Sequence, residues 1–103
     1  MTSHPALSNH PMARVAPRLA ELSEQLLFGE IWLRQPLSPR DRSLVTVAAL
    51  VALARVEQLP FHLRRALDNG VTREELSELV THLAFYAGWP AAASACTLLD
   101  ALA

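Results

Sequence analysis

The 103-residue sequence contains no lysine and a single cysteine, and both scarcities exclude classes of protein. Because Cys96 has no second cysteine to pair with, the chain can form neither an internal disulfide nor a CxxC redox pair. One cysteine and four histidines at these spacings match no zinc-binding pattern. All nine basic side chains are arginines, and the formal charge of −1 predicts no general attraction to nucleic acid or to an anionic membrane.

The sequence also lacks a long apolar run and a leader-like start. Its longest apolar stretch, from Leu44 to Ala54, is shorter than the about 20 residues that span a bilayer. Residues 1–5 show no basic region followed by an apolar core, so we expect no signal peptide and a cytoplasmic location. Yet 51% of the residues are apolar, which is much for a lone small domain and predicts self-association.

Helical signals occur along the whole chain, whereas no segment alternates convincingly with period two. The sequence therefore predicts an all-α fold, an antiparallel bundle of about five helices. We expect residues 1–13 to form a flexible arm and residues 14–103 to form one helical domain. The predicted helices are 16–27, 39–54, a short helix that Pro60 begins and Asn69-Gly70 closes, 72–87, and 91–102.

Two of these helices carry strong start signals. Ser38 precedes Pro39 as a helix N-cap, and the four residues from Thr72 to Glu75 form a capping box. Residues 44–53 are apolar all round apart from Thr46, which predicts a buried central helix.

Helix 72–87 predicts both a core stripe and an interface. Phe85 points away from the stripe and His82 and Tyr86 flank it, so we expect Phe85 to contact another subunit. The expected core stripe comprises Leu76, Leu79, Val80, Leu83, Ala84 and Ala87.

Five segments in this order resemble the carboxymuconolactone decarboxylase family: residues 29–32, 40–50, 57–70, 72–76 and 82–92. The resemblance implies an AhpD-like fold, whose small helical subunits assemble as trimers or hexamers with sites near subunit boundaries. In the peroxidase branch of that superfamily, a CxxC pair precedes a histidine. Placing that histidine on His62 puts Arg55 and Gln58 at the cysteine positions, so dithiol peroxidase chemistry is disfavoured. The decarboxylase branch instead resembles this chain in the spacing of Glu57 and His62 and in Arg42-Ser43.

The resemblance implies a carboxy-lyase that converts 4-carboxymuconolactone to 3-oxoadipate enol-lactone and CO2 without a cofactor. His62 is the candidate proton donor, because imidazole titrates close to neutral pH. Glu57 is the candidate that orients and charge-stabilises His62. The alternatives are a packed or capping histidine and a solvated carboxylate, or one paired with Arg64 or Arg65.

Arg42 is the candidate for binding a carboxylate of a small anionic substrate, since its charge in the first turn of helix 39–54 needs a partner. A structural pair with an acid is the alternative. Arg64 and Arg65 are expected to be solvated or interfacial. His82 and Tyr86, in a row with Glu78, are the candidate pocket wall, with a surface row as the alternative. Cys96 is expected to be buried and inert.

Two other functions stay open: a different small-molecule enzyme on this scaffold, or a non-catalytic oligomeric binding protein.

Overall fold

The computed structural model describes residues 10–102, and these residues form helices and turns without a β-strand. The prediction of an all-α fold is confirmed. The chain divides into two compact units between Ser38 and Pro39. Most of the predicted N-terminal arm lies outside the described residues, while Met12 and Ala13 already belong to a helix. No helix within residues 10–102 is long and apolar enough to cross a membrane.

The first unit consists of short helical segments of three types: α, π and 3-10. Helix α1 spans Met12–Val15 and α2 spans Pro17–Leu22, with Pro17 in the first turn as predicted. The chain then widens into a π-helix over Ser23–Phe28 and ends in a 3-10 turn over Ile31–Leu33. The prediction of one α-helix over 16–27 is therefore wrong in its second half. At the transition, Ser23 donates its hydroxyl hydrogen to the Leu19 carbonyl, a local bond that competes with regular helix geometry.

The second unit consists of four helices around one apolar core. Helix α3 spans Pro39–Ala52, α4 spans Leu59–Asp68, α5 spans Arg73–Ala87 and α6 spans Trp89–Asp100. Helix α3 packs against the other three. Because a short loop joins α3 to α4, the two lie antiparallel. The core comprises Val47, Val51, Leu59, Leu63, Ala66, Val71, Leu76, Val80, Ala84, Ala92 and Ala95.

Helix α4 ends as predicted, at Asn69-Gly70. Gly70 takes the left-handed conformation with φ +98°. The Val71 amide donates to the Ala66 carbonyl at 2.9 Å and the Gly70 amide to the Leu67 carbonyl at 3.1 Å. This pair of bonds is the Schellman motif, which glycine closes without steric cost.

Helix α3 ends in the same motif, but with alanine in the glycine position. The Arg55 amide donates to the Leu50 carbonyl at 2.9 Å and the Ala54 amide to the Val51 carbonyl at 3.1 Å. Ala54 has φ +55°, whereas among residues 10–102 every other positive φ belongs to glycine. Left-handed backbone costs a residue with a Cβ roughly 1–2 kcal/mol. The loop that follows α3 therefore begins from a strained residue.

Helix α5 begins with the predicted capping box, which is confirmed. The Glu75 amide donates to the Thr72 hydroxyl at 3.0 Å, and the Thr72 amide donates to the Glu75 carboxylate at 2.9 Å. Arg40, in the first turn of α3, adds an ion pair to the same carboxylate. The box thus joins the starts of two helices.

The Glu75 carboxylate predicts a pH-dependent stability. The Thr72 backbone donor and then the Arg40 guanidinium hold the pKa of Glu75 below its ordinary value of 4.5. A lowered pKa adds stability above the unfolded value, and this stability is lost as pH falls through the folded value. Glu75→Gln is therefore expected to lower the free energy of unfolding at neutral pH, and the gap to wild type is expected to close in acid. Urea denaturation at a series of pH values measures the gap.

Glu78→Gln is the matched control for that series. Glu78 lies exposed on the same helix, and its side chain makes no hydrogen bond or ion pair with any residue the structure describes. Its substitution is expected to leave the free energy of unfolding within about 0.5 kcal/mol of wild type at every pH. A gap for Glu75→Gln that stays constant down to the acid limit would contradict the role of its charge.

Two expectations about burial are wrong. The segment 44–53 is not buried all round, since Val45 in α3 is 60% exposed and Leu53, directly after α3, is 62% exposed. The fully buried positions of α3 form one stripe, Ser43, Val47 and Val51 at i, i+4 and i+8, and Leu44 and Leu50 beside it are partly buried against the core.

Cys96 was expected to be buried, but the structure exposes it. On α6 the core-facing positions are Ala92 and Ala95. Cys96 lies about 100° around the helix from Ala95 and about 40° from Ala92, so it falls at the edge of the core-facing stripe, where it is exposed.

Candidate active site

The loop between α3 and α4 carries the first of the two predicted catalytic residues. Glu57 is exposed in this loop, which folds around a cavity of about 220 Å³. The cavity is lined by the five consecutive residues Ala54, Arg55, Val56, Glu57 and Gln58. Since the Leu59 amide donates to the Arg55 carbonyl at 3.1 Å, the loop is closed on itself by its own backbone. We call residues 54–58 the α3–α4 loop.

His62 lies in the first turn of α4, immediately after this loop. Its amide donates to the Gln58 carbonyl at 3.4 Å. The edge of the Phe61 ring meets the imidazole with a centroid distance of 4.9 Å. The residue is half-buried and its Nδ1 atom is buried. The imidazole is thus partly withdrawn from water and adjacent in the chain to the loop that carries Glu57.

The structure does not join Glu57 to His62. Within residues 10–102, Glu57 forms no hydrogen bond or ion pair, either with His62 or with Arg64 or Arg65. The suggested ion pairs with Arg64 and Arg65 are therefore absent among these residues. The pairing of Glu57 and His62 in catalysis stays a prediction.

Arg42 lies at the opposite end of α3 from this loop. The next residue, Ser43, is buried and accepts a 3.0 Å hydrogen bond from the Asn69 side chain at the end of α4. His62 and Asn69 are seven residues apart on α4, which corresponds to about 10 Å along the axis. Within one chain, Arg42 is therefore placed near the far end of α4, and Ser43 has a structural contact.

His82 and Tyr86 lie one turn apart on α5, and their rings are tilted by 31° to each other. Their ring centroids are 5.0 Å apart, as the i, i+4 spacing predicted. Both side chains are exposed, and no hydrogen bond or ring contact joins either of them to His62 among the described residues. On the same helix, the Phe85 ring packs edge-to-face with the Trp89 ring at the start of α6, with a centroid distance of 5.1 Å. These four rings form an exposed group, which we call the aromatic patch.

The two adjacent arginines of α4 differ from each other. Arg64 is exposed, as expected, whereas Arg65 is half-buried. Burial lowers the pKa of the Arg65 guanidinium, an effect that the Asp68 carboxylate opposes. Arg65 is therefore not fully solvated in this chain, and its placement at an interface between subunits stays a prediction.

A wider groove of about 720 Å³ runs along α5 and α6, away from the predicted catalytic residues. Exposed Cys96 lines it together with Ser77, Thr81 and Thr97. At one end, Arg73 donates to the Leu99 carbonyl at 3.1 Å and so caps the C-terminal turn of α6. No three metal-ligating side chains converge in this groove or elsewhere in residues 10–102.

The sequence did not reveal the left-handed conformation of Ala54, nor that Arg55 and Glu57 line the same cavity. A glycine or asparagine would have signalled a left-handed cap, but alanine gives no such signal. Only the two hydrogen bonds that close α3 reveal the turn.

The sequence was compared with those of known protein families and proteins. The sequence profile of the carboxymuconolactone decarboxylase family matches residues 17–101. The chain belongs to this family. The family resemblance of the sequence motifs is thereby confirmed over both structural units.

Two relatives of this chain carry functional names. The chain is 50% identical over 73 residues to a 4-carboxymuconolactone decarboxylase of Acinetobacter baylyi. The aligned residues are 71% of this chain and 54% of that protein. The chain is 37% identical over 70 residues to a nitrosuccinic acid decarboxylase of Metarhizium robertsii, 68% of this chain and 49% of that protein. The chain thus spans about half the length of these two relatives.

A third relative extends the similarity without adding a function. An uncharacterised 15.0 kDa protein of Paracoccus denitrificans is 30% identical over 94 residues, 85% of this chain and 69% of that protein. The two relatives that carry a functional name are both called decarboxylases.

Proposed function

We propose that this member of the family is a cofactor-independent carboxy-lyase that acts on a small carboxylated substrate, with 4-carboxymuconolactone as the specific candidate. The observation that carries the proposal is the 50% identity to a protein named 4-carboxymuconolactone decarboxylase. The half-buried His62 beside the α3–α4 loop supports it, because it offers a titratable group next to a cavity.

The two substrates that the relatives' names contain share one electronic feature. Breaking the bond to the carboxylate leaves an electron pair on carbon. In carboxymuconolactone this pair delocalises through the ring double bond onto the lactone carbonyl, and in nitrosuccinic acid a nitro group accepts it. Decarboxylation of either compound therefore needs no external electron sink. The enzyme has to bind carboxylates, stabilise the developing anion and protonate carbon.

The proposed roles follow from this chemistry. His62 gives a proton to a carbon of the delocalised anion. In the lactone this is the carbon next to the lactone carbonyl, because protonation there moves the double bond to the carbon that lost CO2 and so forms the enol-lactone. Nε2 is the donor nitrogen because Nδ1 is buried. Glu57 stabilises the charged imidazole when substrate closes the site, since catalytic hydrogen bonds tighten in the complex. Arg42 holds a substrate carboxylate, and His82 and Tyr86 form a wall of the pocket.

Incubation with 4-carboxymuconolactone tests the proposed function. Release of CO2 together with formation of the enol-lactone is expected, with no added metal or organic cofactor. A parallel incubation with nitrosuccinate separates a narrow from a broad substrate range. Turnover of neither compound by the purified chain would reject the carboxy-lyase proposal.

Self-association is part of the same proposal, as a trimer or a hexamer. Its support is the aromatic patch, in which Phe85, Tyr86 and Trp89 are 71%, 79% and 65% exposed. Contiguous exposed rings are unusual on a monomer, and a second copy would bury them. No hydrogen bond or ring contact joins His82 or Tyr86 to His62 among the described residues of one chain, so we propose that a second copy supplies them to the pocket wall.

Phe85→Ser is expected to weaken this association, since it places a hydroxyl where the interface would bury a ring. Sedimentation velocity is expected to show an oligomer for wild type and a smaller species for the variant. Val15→Ser, at an exposed residue in α1, is the control and is expected to sediment as wild type does. A wild type that sediments as a monomer would reject the proposed assembly.

A further inference from the structure

The proposed reaction needs a cation close to His62 to bind a substrate carboxylate. Within one chain, Arg42 lies too far from His62 to be that cation. Arg42 lies by the Ser43–Asn69 contact, about 10 Å along α4 from His62. Substrates with two carboxylates present two separated negative charges. A second arginine close to Glu57 and His62 would therefore complete the site.

Arg55 lies in the same loop as Glu57, and the His62 amide is bonded to Gln58 at the end of that loop. Arg55 lines the 220 Å³ cavity together with Glu57 and Gln58. Its guanidinium is exposed and forms no hydrogen bond or ion pair with any residue in 10–102. By contrast, Arg40 already pairs with Glu75, and Arg73 already caps α6. The donors of Arg55 are thus available to a ligand.

The charge of Arg55 also has a local effect on the cavity. Glu57, two residues further along, would by itself repel an anion from the same small space. The guanidinium of Arg55 offsets that charge, so that the cavity admits a carboxylate. Its planar fork can donate two parallel hydrogen bonds to a carboxylate, which an ammonium cannot.

The backbone holds Arg55 more firmly than an ordinary surface loop would. Its amide donates to the Leu50 carbonyl and its carbonyl accepts from the Leu59 amide, so it is bonded to α3 on one side and α4 on the other. The left-handed Ala54 sets the direction in which the chain enters this residue. A strained residue at a loop of the site indicates a constraint on geometry rather than on stability.

We propose that Arg55 binds a carboxylate that the substrate retains, and that the left-handed turn at Ala54 positions it. This inference rests on the proposed function for the identity of the substrate. It adds a binding residue and a positioning residue to that site, and it assigns the α3–α4 loop to substrate selection.

Arg55→Gln removes the charge and the fork while it keeps the length of the side chain. KM is expected to rise by about 10- to 100-fold, the usual effect of losing a charge-assisted hydrogen bond, with kcat changed much less. Arg55→Lys is expected to restore part of the affinity. Arg64→Gln is the matched control, because Arg64 is also exposed and has no partner among the described residues but lies outside the cavity. A KM for Arg55→Gln equal to that of wild type would overturn the proposal.

Ala54→Gly tests the positioning role. Glycine keeps the left-handed turn without strain, so the melting temperature is expected to stay equal or rise, while KM rises because the loop is less restrained. Gly70→Ala is the control at the equivalent motif of α4, and it is expected to lower the melting temperature with KM unchanged. An unchanged KM for Ala54→Gly would remove Ala54 from the proposal.

Succinate, a plain dicarboxylate, separates this inference from the proposed function. Titration of succinate is expected to shift the Arg55 Nε–Hε signal in proton–nitrogen spectra, and Arg55→Gln is expected to weaken the accompanying shifts of the loop amides. If wild type binds succinate in this way but decarboxylates nothing, the carboxy-lyase proposal fails while the carboxylate site stands. Absence of any shift in the loop would reject the carboxylate site itself.

Discussion

Replacing His62 by alanine is expected to lower kcat by about 10²- to 10⁴-fold, the usual contribution of a positioned proton donor. The carbanion that CO2 leaves behind has to be protonated, and among the described residues near the α3–α4 loop His62 is the half-buried imidazole, a side chain that can donate a proton to carbon. Release of CO2 and formation of the enol-lactone, followed separately, measure the effect. His62→Gln is expected to behave similarly, since an amide can donate a hydrogen bond but cannot transfer the proton.

The controls for His62 separate catalysis from folding. His62 is half-buried against Phe61, so circular dichroism and the melting temperature of each variant have to be compared with wild type. His10→Ala removes an exposed histidine that is not among the candidate site residues, and the kcat of this variant is expected to equal that of wild type. If a folded His62→Ala variant turns over substrate as wild type does, the reaction is retained but His62 has no part in it.

Replacing Leu63 by alanine is expected to lower the free energy of unfolding by about 2–5 kcal/mol. Leu63 is fully buried between the residues of the second unit's core, directly after His62. The loss combines the transfer free energy of the deleted methyl groups with the cavity they leave. In a domain whose total stability is about 5–15 kcal/mol, a loss of this size is a large share. Urea denaturation with unchanged slope measures it.

Val45→Ala is the comparison for Leu63→Ala. Val45 lies on α3 and is 60% exposed, so its truncation is expected to change the free energy of unfolding by less than about 0.5 kcal/mol. Equal losses for the two variants would contradict the packing described for α4. A smaller loss for Leu63→Ala than about 1 kcal/mol would show that the site collapses around the deletion.

The exposed Glu57 illustrates where prediction from sequence ends at the candidate site. The spacing of Glu57 and His62 placed them on consecutive elements, and the structure agrees, with Glu57 in the loop and His62 in the first turn of α4. Whether their side chains meet depends on rotamers and on a bound substrate, which spacing along the chain does not describe. Arg42 differs in this respect, because its distance from the loop follows from the length of α3, which the sequence predicted closely.

The sequence by itself determined the helices of the second unit and several of their ends. Pro39 and Pro60 in first turns, the capping box at Thr72 and the glycine at position 70 all act through bonds between near neighbours in the chain. Such local bonds are the same in any tertiary context, and so they can be read directly. The family motifs belong to the same class of information, since they are short segments in a set order.

The tertiary structure alone decided which faces are covered and where the charges lie. The exposure of Cys96 and Val45 and the partial burial of Arg65 depend on how the helices pack, and a chain with so many apolar residues leaves that choice open. The left-handed Ala54 is likewise held by hydrogen bonds at the end of α3, against the preference of alanine itself. Packing and these closing bonds can override local preference because many contacts together outweigh the strain of one residue.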